Sequence, residues 1–393
     1  YTPNLQLESL TDGSGTELVH YEYDLRGRLV RRTLGNGCAT DYAYDPAGLV
    51  ALVVNRDPYG TVISRWDYTR DALGNPVAIE SDTGTSLFGH DELGQLLSHV
   101  GEDAAETGYL YDGCWNRVSV QDGLGSVTYQ TNAMNQYTSA GAATFTYDAD
   151  GNLTSRTDAS GTTTYAYDEE NRLVRVVLPG GVQRTIAYDA LGNPLSVTRD
   201  DFTTHLLFDP SGMGNVVAEY AEDGSLLARN LFGTELVARV GESGGAGWPL
   251  FDGLGSVVEV TDDAGAVANR YRYDPYGSLT AKVETLTNPF TFVGAYGVRA
   301  EEDGLFDMRA RRYDPLTGRF TGDDQARVLN DENLYQYVGN APITAVDPEG
   351  SFGVGDCWED CYLKVGYVCY VYVTWMDTVE QSNRGKGKWK WPK

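Results

Sequence analysis

The 393-residue chain holds 46 Gly and 27 Tyr but only 4 Met and 4 His, and its helix formers never gather into a long 3.6-residue period. Short alternating runs of Tyr, Val, Thr and Leu between Gly- and Asp-rich turns predict an all-β protein instead. A net charge of −26 keeps such a body in solution and repels phosphate, which argues against nucleic acid as a partner of the body.

No apolar run nears the roughly 18 residues that a helical membrane span needs. The cysteines are Cys38, Cys114, Cys357, Cys361 and Cys369, an odd number whose first two stand far apart, so they define no disulfide framework. The chain opens at Tyr1, without a Met and inside a repeat-like pattern, as a fragment of a longer protein would.

From the N-terminus onward, one unit recurs: Tyr-x-Tyr-Asp-x-x-Gly-(Asn/Arg)-Leu. It reads Tyr21-Glu-Tyr23-Asp24-Leu-Arg-Gly27-Arg28-Leu29 and then Tyr42-Ala-Tyr44-Asp45-Pro-Ala-Gly48-Leu49. Weaker copies follow at Asp71 to Asn75, Asp91 to Gln95 and Tyr109 to Asp112. Clear ones return at Asp148, Asp168, Asp189 and Asp209, in steps of 20, 21 and 20 residues. Each unit predicts a β-hairpin. Tyr-x-Tyr puts two rings on one strand face, Asp opens a turn, and Gly accepts a positive φ three residues on. A second turn, such as Asp158-Ala-Ser-Gly161, completes two strands of about six residues per unit. Single hairpins are marginal, so successive ones must stack into a long sheet that curls. The tyrosines then pack that sheet, or present rings to a carbohydrate.

The second half carries a longer signature. Phe251-Asp-Gly-Leu-Gly255-Ser-Val257 and Tyr271-Arg-Tyr-Asp-Pro-Tyr-Gly277 lead into Gly304-Leu-Phe-Asp-Met-Arg309-Ala-Arg311-Arg-Tyr313-Asp314-Pro315-Leu-Thr-Gly318-Arg319-Phe320. Asn333-Leu-Tyr335-Gln-Tyr337-Val-Gly-Asn340-Ala-Pro342 and Asp347-Pro348-Glu-Gly350 close it. The repeats resemble the YD repeats of Rhs proteins, of insecticidal toxin-complex C components and of teneurins, and this second run resembles the Rhs repeat-associated core. The resemblance covers residues 1 to 350.

The resemblance implies a fold and a division of labour. Residues 1–235 would form a spiralling β-hairpin shell, a hollow barrel or cocoon. Residues 236–350 would be the core domain that closes it and carries a self-cleavage site, and 351–393 a variable C-terminal tail held inside as cargo. A polymorphic toxin of this kind would be secreted or sit at the cell surface, with secretion-apparatus or immunity proteins as partners. The alternative is a teneurin-like adhesion protein that binds a cell-surface glycan and is never cut. Neither reading calls for a cofactor.

Motif by motif, the aspartyl self-cleavage site of the family falls on Arg311, Asp324 and Asp347. Two carboxylates held close divide the roles of acid and base, while an arginine orients one of them or polarises the scissile carbonyl. A target in the same chain needs only one turnover. The sequence departs from the family at Arg312, where a Tyr is usual, and at Gln325, where a Pro is usual. Asp323 beside Asp324 leaves the register open, and Ser351 stands where a Leu often precedes the cut. Asp324 and Asp347 also read as plain turn aspartates.

Beyond Gly350 the composition changes: five acids and six bases give about +1, against about −27 for the rest. Val365 to Trp375 reads as one or two apolar strands, and Gly385-Lys-Gly-Lys-Trp-Lys-Trp391 as a basic, solvated end. Cys357, Cys361 and Cys369 are spaced too loosely, with no His nearby, for a zinc site, so no metal is expected. Gly241-Glu-Ser243-Gly-Gly245 matches a hydrolase elbow only in letters, because it lies in a Gly-rich loop.

Overall fold

A computed structural model describes residues 1–209, 213–324 and 333–351. The expected tail strands, the basic end, the three tail cysteines and Gln325 lie outside the described residues. Among these residues the fold is β throughout, with two 3-10 turns. Twenty-seven strands, β1 (Ser9–Thr11) to β27 (Leu279–Val283), form one meander in which each strand pairs antiparallel with the next.

The repeat turn explains the meander. In Asp24-Leu-Arg-Gly27-Arg28, the Arg26 and Arg28 N–H groups donate to Asp24 Oδ1, each at 2.9 Å. Gly27 N–H donates to Asp24 O at 2.9 Å, with Gly27 at φ 80°. The same pattern returns at Asp148, Asp189 and Asp252. Each such turn leaves a one-residue register shift at the tyrosine before it, as between Glu22 and Tyr23 or Ala187 and Tyr188. That is a type I turn with a G1 bulge, which sharpens the right-handed twist wherever it occurs. At Trp115 a bulky residue takes the glycine position, at φ 59°.

The two tyrosines of the unit do different things. The first packs inward: Tyr21, Tyr109 and Tyr165 are buried. The second reaches back to the backbone carbonyl of the first residue of the strand before it, which belongs to the preceding unit. Tyr44 Oη donates to Leu29 O at 2.7 Å, Tyr111 to Leu96 O at 2.7 Å, and Tyr188 to Leu173 O at 2.8 Å. This clamp ties each hairpin to its predecessor at the residue where the bulge begins.

The sheet curls until its start overlaps its end, and no ladder joins β1 to β27 among the described residues. Side chains make the seam. Arg32, on β3 (Leu29–Leu34), is fully buried, pairs with Glu235 at 2.6 Å and donates to Pro249 O at 2.9 Å. Asn55 donates to Phe251 O at 3.1 Å, and Ser64 to Glu259 Oε2 at 2.6 Å. Val19, Tyr21 and Leu34 pack there with Val237, Trp248 and Leu250. The wall is thus an overlapping spiral.

Because strands alternate in direction, the repeat turns at Asp24, Asp45, Asp148, Asp189 and Asp252 lie on one rim, while the Asp-x-x-Gly turns at Asp12, Asp57 and Asp262 lie on the other. The segment after β27 fastens along the first of these rims. Ala295 N–H donates to Gly255 O, and Tyr335 Oη to Gly151 O. Asn340 Nδ2 donates to Gln95 Oε1 and Trp115 O. Asn116 Oδ1 accepts from both Arg319 and Asn333. The core fastens to this rim through the carbonyl at the turn-glycine position or the polar residue that follows it, at the turns of Gly94, Trp115, Gly151 and Gly255.

Two predictions follow from the turns. Tyr188→Phe keeps the ring and loses only the clamp, so the chain should lose about 1 kcal/mol in denaturant unfolding; an unchanged midpoint would remove the clamp's role. The second concerns charge. Asp24, at the surface with its side chain 23% exposed, is held below the usual carboxylate range by the Arg28 backbone N–H and guanidinium. Asp252 makes the same bonds, yet burial pushes it up to about 6 against the pull of the Ser256 and Leu254 N–H groups. A raised value means that Asp252 favours the fold most below about pH 4 and loses that contribution as pH climbs through 6. Asp252→Asn, which still accepts both N–H bonds, should therefore gain stability over the natural chain as pH rises from 4 to 7, by about 1–3 kcal/mol at the top. Melting curves at several pH values test this, and a pH-independent difference would sink it.

Candidate functional site

The core contributes its own small sheet of β28 (Arg299–Ala300), β29 (Phe306–Met308), β30 (Arg311–Asp314) and β31 (Arg319–Phe320). Met308 pairs with Arg311, so Arg309 and Ala310 form the hairpin tip. Phe320 N–H donates to Tyr335 O, and Leu153 N–H of the shell donates to Thr321 O. The small sheet is therefore bonded to the repeats on one side and to residues 333–351 on the other. Phe292, Phe306, Tyr313, Phe320 and Tyr337 pack its hydrophobic centre.

At its edge the structure brings Arg311, Asp324 and Asp347 together. Arg311 Nη2 lies 3.0 Å from Asp324 Oδ2 and 3.6 Å from Asp347 Oδ2. Nη1 donates to Leu334 O at 3.0 Å, and Nε donates to Gly350 O. The guanidinium also lies 3.7 Å over the Phe320 ring, which fixes its plane. Asp347 Oδ1 accepts from Gly350 N–H at 2.8 Å and Ser351 N–H at 3.3 Å. The three residues are 3 to 6% exposed: Arg311 6%, Asp324 4%, Asp347 3%. Charges so buried interact strongly, and water reaches them only in small numbers.

Arg311 thus addresses two carboxylates and the Gly350 carbonyl at once. That constellation can deliver a proton, activate a water and polarise a nearby peptide bond. Asp323, the rival for the register, is buried next to Gly151 of the shell, while Asp324 is the one that meets Arg311. Arg312, in the position of the usual Tyr, turns to the opposite face of the strand and pairs with Asp307 at 2.7 Å. Tyr337 is fully buried; burial and the nearby Asp347 hold its hydroxyl well above the ordinary tyrosine value, so it stays protonated.

Sequence reasoning missed Arg309. Its Nε donates to Met213 O at 2.6 Å, its Nη2 to Asn215 Oδ1 at 2.8 Å and to Tyr296 O, and its Nη1 to Pro348 O. It sits at φ 57°, a conformation that a glycine or asparagine would have signalled and an arginine does not. Gly350 was read only as part of a motif. A Cβ there would lie 2.4 Å from Met308 O and 3.0 Å from Arg311 N, so only glycine allows this approach.

The described fold and site define a β-hairpin repeat shell capped by a core that carries a buried arginine–carboxylate cluster. Comparison with known proteins agrees on the repeat fold. The RHS Repeat family model matches residues 147–183 and 167–205. A tRNA3(Ser)-specific nuclease WapA of Bacillus spizizenii is 30% identical over 371 residues, covering 90% of this chain and 15% of that protein. The double-stranded DNA deaminase toxin A of Burkholderia cenocepacia is 28% identical, with 88% and 23% covered. A solved Tc holotoxin pore of Photorhabdus luminescens superposes with a TM-score of 0.73 at 17% identity, covering 90% of this chain and 20% of that one. The chain is an Rhs/YD-repeat protein, and it spans under a quarter of the length of these relatives.

Gly350→Ala should push the 347–351 turn off the hairpin tip and cost about 1–3 kcal/mol. Thermal melting together with amide exchange at Ala310, whose N–H donates to Glu349 O, would register it. Unchanged protection at Ala310 would show that the close approach is dispensable.

Proposed function

We propose that this chain is the shell-and-core portion of an Rhs-family polymorphic toxin, which encloses its own C-terminal segment and releases it by a single self-cleavage near residue 351. The observation that carries this reading is Arg311 in contact with Asp324, Asp347 and the Gly350 carbonyl, one residue before Ser351. In this reading Asp324 and Asp347 divide the acid and base roles, one activating water and the other protonating the leaving nitrogen. Arg311 orients both and withdraws charge from the backbone next to the cut. Tethering supplies the effective concentration that an intermolecular protease would lack. The nuclease and deaminase toxins among the relatives support a cargo role for the segment beyond 351. With that role go secretion or surface delivery and an immunity partner for the producing cell.

Intact mass of the purified full chain tests the reading. The natural sequence should yield two fragments divided near residue 351, while Asp324→Asn and Asp347→Asn should each stay whole and melt like the natural shell. A folded natural chain that remains intact through prolonged incubation would overturn the self-cleavage reading.

A further inference from the structure

A cavity of about 260 Å3 lies between the core hairpin and the repeats, with Arg172, Arg299, Arg309, Arg311 and Arg312 in its walls. Four of these meet carboxylates: Asp168 at 2.7 Å, Glu219 at 3.1 Å, Asp324 at 3.0 Å and Asp307 at 2.7 Å, respectively. Arg309 is different. Its hydrogen-bond partners are the carbonyls of Met213, Tyr296 and Pro348 and the amide oxygen of Asn215. Half-burying a guanidinium whose hydrogen bonds all go to uncharged oxygens carries a cost, and desolvation pulls its proton affinity down against the nearby Asp307, Glu349 and Asp347 carboxylates. Its left-handed backbone adds a cost of about 1 kcal/mol or more. A fold under no other constraint would place a smaller residue at this tip.

The contacts around it form a series. Arg309 Nη1 donates to Pro348 O, Ala310 N–H donates to Glu349 O at 3.1 Å, and Arg311 Nε donates to Gly350 O. Three successive residues of the hairpin grip three successive carbonyls of the segment that leads to the cut. Gly350 lies flat enough against Met308 and Arg311 for the series to stay in step. Arg309 is also anchored to the shell, at residues 213–215, and to Tyr296. A slip of one residue would move Asp347 off Arg311 and present a different peptide bond.

We propose that Arg309 is a positioning residue that sets the register of residues 348–351 across the site, and so selects which peptide bond is cut. This rests on the self-cleavage reading. Arg309 touches no reacting atom; it acts through Pro348 and its anchors.

The experiment follows fragment masses over time for the full natural chain, Arg309→Gln, Arg309→Lys and Asn215→Ala, with melting temperatures alongside. The natural chain should be cut at one bond. Arg309→Gln should be cut about tenfold to a hundredfold more slowly, with masses showing cuts displaced by a residue. Arg309→Lys, which keeps the charge but cannot reach four oxygens, should behave like Arg309→Gln. Asn215→Ala leaves the arginine in place and loosens one anchor, so it should show the same change more weakly if Arg309→Gln fails to fold. A single cut at the natural bond in the folded variants, at whatever rate, overturns the register role while leaving self-cleavage standing. A natural chain that is never cut overturns both.

Discussion

The structure depends on one carboxylate oxygen accepting two backbone N–H groups, repeated at each Asp-x-x-Gly turn. The pair of bonds forces a tight turn, and the turn forces a one-residue bulge into the strand before it. A bulge bends and twists its strand, and here bulges recur at the repeat turns of one rim and at a few turns of the other. Twist added mostly on one side, some twenty residues apart, accumulates into a curl. The tyrosine clamp preserves that geometry by fixing each bulge to the preceding hairpin.

A curl alone does not decide where the sheet meets itself. The seam is polar as well as apolar: Arg32, Asn55 and Ser64 reach carbonyls and carboxylates of strands some two hundred residues later. A buried Arg32–Glu235 pair adds little net stability, since desolvation offsets the attraction. It does penalise a shifted overlap, which would leave both charges buried and alone. The core works by the same logic at the rim, where Asn116, Gln95 and Gly151 must face Asn333, Asn340 and Tyr335. Shell and core therefore fix each other's register, and the site is assembled at their junction.

Burial also separates residues of identical motif. Asp24 and Asp252 have the same turn, the same pair of N–H bonds and opposite shifts in acidity, because more protein surrounds and desolvates Asp252 while Arg28 pairs with Asp24. Asp323 and Asp324 are neighbours in sequence, but one packs against Gly151 of the shell and the other meets Arg311. Arg311 and Arg312 part in the same way, one to the carboxylate pair and one to Asp307.

By itself, the sequence determined the unit: the spacing of Tyr, Asp and Gly is local chemistry, and local chemistry made hairpins, an all-β chain and a sheet bound to curl. It also marked Arg311, Asp324 and Asp347, because their motifs are dense enough to align. Only the tertiary structure decided that the curl overlaps as a spiral, that Asp324 rather than Asp323 takes the arginine, and that Arg309 grips the segment ahead of Ser351. Those outcomes rest on contacts between residues tens to hundreds apart, and the spacing of letters along a chain carries no record of which distant faces will meet.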